Sequence, residues 1–147
     1  MPDPTGSDEA QGRGAAPGAA GLKSKMGLAR VLKAARHSLD GLGAAWAHEA
    51  AFRQDLLLGA AWAAAALFAP IEPGWRFALL AWVPFLLLCE LANSAIEACV
   101  DLCVGERLHP LAKRAKDMGS AIVLLALLIG ALLWLGALWP RLAPLIG

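Results

Sequence analysis

The sequence predicts an all-α membrane protein with three transmembrane helices preceded by an amphipathic surface helix. Three observations predict it. The chain of 147 residues is 59% hydrophobic with a positive mean hydropathy, a composition outside the range of ordinary soluble domains. Its apolar residues gather into three long segments separated by short polar or proline-rich breaks. A basic segment with helical apolar periodicity precedes them.

The elements follow in order. Residues 1–21, MPDPTGSDEAQGRGAAPGAAG, are rich in Pro, Gly and Ala and lack the apolar stretch of a secretory signal, so a disordered tail is expected ahead of a membrane domain over 22–147. From about 27 to 47, Leu28, Leu32, Ala35, Leu39, Leu42 and Trp46 recur at spacings of three and four, with Arg30, Lys33, Arg36 and Asp40 between them. This predicts a helix lying on the membrane surface, with Gly41 and Gly43 offering a bend before the bilayer. The first span is expected over about 48–70 and ends at APIEPGW, whose prolines and glycine make a turn. The second covers about 76–104, with Pro84 as a kink, and the third about 117–139, closed by Pro140.

Lys23, Lys25, Arg30, Lys33, Arg36 and Arg53 precede or open the first span, and Arg107, Lys113, Arg114 and Lys116 fill the second connection, against Arg76 and Arg141 at the other end. The positive-inside rule puts the N-terminus and the 105–117 connection in the cytoplasm. A net charge of +1 with no basic stripe argues against a nucleic-acid partner. Cys89, Cys99 and Cys103 form no CxxC pair and read as small buried hydrophobes. There is no phosphate-binding glycine loop, no G-x-S-x-G elbow, and HEAAF at His48 lacks the second histidine of a zinc hydrolase.

The informative stretch is CELANSAIEACVD. Glu90, Asn93, Glu97 and Asp101 are spaced by three and four, which places them on one face of the second helix. At roughly 1.5 Å per residue from Phe77, Glu97 lies about 30 Å along the helix, at the cytoplasmic boundary, and Glu90 about 10 Å deeper. Glu49 opens the first span, and Lys116 and Asp117 open the third, so these too stand at that boundary. Gathered carboxylates suit a hard cation such as Mg²⁺ in company with phosphate oxygens, and a lysine beside them suits a phosphate tail. Glu90, deeper and away from water, is a candidate general base for a lipid hydroxyl. Structural alternatives compete at several positions: helix bridging by Asn93, an Arg53 partner for Glu49, and helix-start charges for Lys116 and Asp117. These patterns leave open a lipid-modifying enzyme and a small proton-coupled transporter.

EAAFRQD, ELANSAIEACVD and RAKDMGSA, in this order, resemble the signature segments of the prokaryotic diacylglycerol kinase family, over about residues 27–139. The resemblance implies a homotrimer in the bacterial inner membrane, multi-pass, with active sites at the cytoplasmic face. It implies ATP as cosubstrate, Mg²⁺ as cofactor and transfer of the γ-phosphate to diacylglycerol to give phosphatidic acid. By motif, Glu90 is the base, and Glu49 and Glu97 hold the metal. Lys116 and Asp117 contact nucleotide, as does His109 from the connection. Asn93 and Asp101 support the site. Arg30 approaches phosphate or headgroup, Ser120 approaches the lipid, and His37 stands at a nucleotide-facing position where the family has tyrosine. A relative in this family resembles an undecaprenol kinase, and EAAFRQD leans toward the diacylglycerol enzymes.

Overall fold

The computed structural model describes residues 19–105 and 107–146, and every regular element among them is a helix: α1 (Ala19–His48), α2 (Ala50–Phe68), α3 (Pro73–Val104) and α4 (Pro110–Ile146). The chain divides into two units, Met1–Asp40 and Gly41–Gly147. In the first, α1 exposes Leu28, Val31, Leu32 and Leu39. It starts at Ala19, ahead of the apolar periodicity, and takes in Ala19 to Gly21 at the end of the expected tail. Alanine and lysine are strong helix formers, and extending a helix costs far less than nucleating one. The rest of the tail lies outside the described residues.

In the second unit the backbone leaves the helix at Glu49 (φ −103°, ψ 112°) rather than at Gly41 or Gly43. Arg53 secures this junction, its Nη1 donating to the carbonyls of Trp46 at 2.7 Å and Ala47 at 3.4 Å. α2 ends before the proline turn, which Arg76 holds from α3. Its guanidinium donates to the carbonyls of Ala66 and Ala69 at 3.1 Å each and Ile71 at 3.4 Å, and the Ala66 carbonyl is one that the end of α2 leaves without a helical donor. Pro73 occupies the first turn of α3, where its missing N–H costs nothing. Gly105 closes α3 at φ 56°, a left-handed conformation that glycine adopts without strain.

α4 begins at Pro110, ahead of the expected Asp117, because proline is pre-set for a first helical turn and His109 Nδ1 accepts the Leu111 N–H at 3.2 Å. It also continues through Pro140 and Pro144 instead of stopping. Each proline forfeits one backbone bond, yet its fixed φ is helical, so near a helix end the loss is tolerated. α3 likewise runs through Pro84. Two helices, α3 and α4, are long and apolar enough to cross a membrane. α2 carries Arg53, Gln54 and Asp55 in its first turns.

α3 is the central helix, packing against both α2 and α4. The buried residues of α4 are Gly119, Ala126, Gly130 and Ala137, all small, at spacings of seven, four and seven. Small residues let helix backbones approach closely where lipid offers no hydrophobic drive. Into this space project aromatic rings: Trp62 stacks on Trp82 with centroids 4.1 Å apart, Trp134 meets Trp62 edge-on, and Trp82 Nε1 donates to the Ala126 carbonyl at 2.7 Å. A Cβ on Gly130 would meet the rings of both Trp62 and Trp82. Gly130→Ala is therefore expected to lower stability by about 1–3 kcal/mol, the usual cost of overpacking, read by denaturant unfolding in mixed micelles. Of the cysteines only Cys89 is buried; Cys99 and Cys103 are exposed, because they lie past the tightly packed part of α3.

Candidate active site

The polar stripe of α3 faces its neighbours as the helical spacing requires, but burial reaches further than depth alone predicts. Glu90 is 3% exposed and Asn93 9% exposed, so both are buried, and Glu97 is half-buried. Helix contact, not distance from the membrane boundary, closes them off. Gly119 of α4 comes so near that a Cβ there would meet Asn93 Oδ1. Asn93 in turn donates from Nδ2 to Glu97 Oε1 at 3.2 Å, one turn along. This bond orients the Glu97 carboxylate and occupies one of its oxygens.

Asp55, Glu97 and Glu49 are the carboxylates near enough for their charge to act on Glu90. Four acids from α2, α3 and the α1–α2 junction thus share one neighbourhood. Asp55 was not among the residues singled out from the sequence. It lies within EAAFRQD, but six residues after Glu49, a spacing that puts the two on different faces of a regular helix and hides their common direction. The extended backbone at Glu49 removes that conflict. Buried polar atoms without a hydrogen-bond partner surround the same place: Asp55 Oδ2, Asn93 Oδ1 and Ser94 Oγ. Such atoms are costly unless a ligand or water meets them.

At the end of α3 the exposed Asp101 meets Lys116 of α4, with Oδ1 and Nζ 2.6 Å apart. Lys116 precedes the apolar run of α4. Its hydrogen bond to Asp101 raises its pKa above the ordinary lysine value of 10.5. The ammonium therefore persists across neutral pH, and the pairing is lost only as pH climbs through that raised value. Asp117, also exposed, pairs with Lys113 one turn earlier, again at 2.6 Å. A cleft of about 640 Å³ opens here, lined by Asp101, Arg107, His109, Lys113 and Lys116 over an apolar floor of Val100 and Val104. Because His109 Nδ1 caps α4, the neutral ring carries its proton on Nε2.

Glu49 is half-buried and makes no capping bond, and Arg53 is turned to backbone carbonyls instead of to its carboxylate. The expected alternative of a Glu49–Arg53 pair is therefore not formed, and the Glu49 carboxylate is left unspent. Among the described residues no group of three His, Cys, Asp or Glu side chains is placed to hold a metal ion. That donor set still fits Mg²⁺, which is commonly held by one or two carboxylates plus substrate phosphates and water. Ser120 is exposed on α4, one residue after Gly119. Arg30 and His37 are exposed on α1, in the first unit.

The sequence model of the family described as prokaryotic diacylglycerol kinase matches residues 36–138. The chain is similar to the diacylglycerol kinase of Escherichia coli strain K12, 42% identical over 113 residues that cover 77% of this chain and 92% of the relative. It is 45% identical to that of Pseudomonas aeruginosa, over 77% of this chain and 91% of the relative. A Helicobacter pylori diacylglycerol kinase is 40% identical over 74% and 84%. With one buried and one half-buried acid on α3, a lysine–aspartate contact at its end and a match spanning most of its length, the chain belongs to the prokaryotic diacylglycerol kinase family.

Proposed function

We propose that the protein transfers the γ-phosphate of ATP to the free hydroxyl of diacylglycerol, forming phosphatidic acid at the cytoplasmic face of a bacterial inner membrane. The observation that carries this reading is the convergence of buried Glu90 with Glu49, Asp55 and Glu97, one helix end away from the Lys116–Asp101 pair. A deep acid and a shallower charged cleft match a substrate that arrives from lipid and another that arrives from water.

Glu90 accepts the hydroxyl proton as the lipid oxygen bonds to the γ-phosphorus, and the bond from that phosphorus to the β–γ bridging oxygen breaks to release ADP. Glu49 and Glu97 would hold Mg²⁺, which would supply charge neutralisation on the phosphates. Lys116 and His109 engage the nucleotide in the cleft, Asp117 engages it from beside Lys113, and Asn93 and Asp101 keep Glu97 and Lys116 in place. Ser120 lies beside the lipid, and the family motif assigns Arg30 to phosphate or headgroup and His37 to nucleotide. Helix packing around Glu90 excludes water, which favours lipid over hydrolysis.

Three spans, with α2 as the first, and α1 on the cytoplasmic surface account for the excess of lysine and arginine on one side. Exposed Leu57, Phe77, Leu88, Ile122 and Leu132 supply apolar surface for lipid and for neighbouring copies in a homotrimer. The test is ATP-dependent labelling of purified protein in mixed micelles with diacylglycerol or undecaprenol. Labelled phosphatidic acid is expected. Labelled polyprenyl phosphate alone, or ion flux without any transfer, would overturn the assignment.

A further inference from the structure

At the end of the helices opposite the acids, a cavity of about 480 Å³ lies between the proline turn, the start of α3 and the end of α4. Pro70, Ile71, Trp75, Ala137 and Pro140 form largely apolar walls, and one acid and one base, Glu72 and Arg141, stand on its lining. Both are exposed, and among the described residues neither forms an ion pair. The other cation at this end, Arg76, is committed to the carbonyls of Ala66, Ala69 and Ile71. That bracing fixes one wall, and the burial of Ile71 plugs it into the outer core cluster.

The wall from α4 has a second property. Pro140 brings no N–H to the Gly136 carbonyl, and Pro144 brings none to the carbonyl of Pro140, which itself lines the cavity. Two successive backbone acceptors are thus without their helical donor. The cavity therefore pairs a guanidinium that wants an anion with a carboxylate that wants N–H donors, around apolar walls. Trp75 and Trp139, at the adjoining helix ends, are the residue type that settles at a membrane interface.

We propose that this cavity binds the headgroup of a phosphoethanolamine lipid, the phosphate on Arg141 and the primary ammonium on Glu72. A primary ammonium brings three N–H donors, whereas a trimethylammonium head brings charge alone. The site consequently separates phosphatidylethanolamine from phosphatidylcholine, two lipids with the same phosphate and the same net charge. It is independent of phosphate transfer and lies at the other end of α3 from Glu90.

The experiment is native mass spectrometry of the full chain released from nanodiscs of equal phosphatidylethanolamine and phosphatidylcholine, matched in acyl chains. The wild type is expected to retain the ethanolamine lipid several-fold over the choline lipid. Arg141→Met should lose retention of both, and Glu72→Gln should bring the ratio toward one while keeping retention. Thermal unfolding of each variant in detergent serves as the folding control, and a variant that unfolds early is replaced by Arg141→Lys or Glu72→Asp. Equal retention of the two lipids by the wild type, or a ratio unchanged by both substitutions, overturns the proposal. Either result leaves the kinase reading untouched, since labelling of diacylglycerol is measured separately.

Discussion

Glu97→Gln is expected to lose phosphatidic acid formation by at least about 10²-fold in kcat, the scale seen when one transition-state electrostatic contact is removed. The substitution is informative because it spares the neighbouring structure. A glutamine amide oxygen accepts from Asn93 Nδ2 as the carboxylate Oε1 does at 3.2 Å, so the α3 stripe stays in place. What disappears is the negative charge that a hard cation requires. Activity should recover partly as Mg²⁺ is raised, because a weakened site is filled by mass action. Steady-state rates over a metal titration, with circular dichroism to check folding, read this directly. Wild-type activity in the variant would remove Glu97 from the metal site.

Glu90→Gln should produce the opposite pairing of effects on activity and stability. Loss of the proton acceptor is expected to cost about 10²–10⁴-fold in kcat, the range for a positioned general base. Stability should hold or rise, since the variant removes a carboxylate that is 3% exposed and acted on by three others. Destabilisation together with near-normal kcat would instead mark Glu90 as a structural bridge. Functional sites commonly hold groups that the fold alone would not choose, and this substitution separates the two roles in one variant.

Much of this was legible in the sequence, and the reasons for the remainder are physical. The three-and-four spacing of Glu90, Asn93, Glu97 and Asp101 placed them on one face because α3 is regular there, in spite of Pro84. Asn93, for which a site role competes with helix bridging, is buried, because its enclosure comes from Gly119 on another helix. Depth counting along a single helix carries no information about its neighbour. Asp55 stayed hidden for a related reason: its relation to Glu49 depends on one extended residue, which periodicity assumes away. Gly119, Ala126, Gly130 and Ala137 mark the packed face of α4, yet in a uniformly apolar helix the contrast is one of size rather than polarity. Proline was over-read at Pro140, where a helix end can spare the bond.

The Trp82 indole sets an alignment between helices as well as filling space. Its bond to the Ala126 carbonyl ties the middle of α3 to one level of α4. Sliding α4 by a single turn, about 5.4 Å, would break that bond and carry Lys116 out of reach of Asp101. The acidic end of the bundle therefore takes its vertical calibration from a tryptophan placed well away from any reacting group, and the spacing between lipid-side and water-side chemistry is gauged in the apolar middle of the fold.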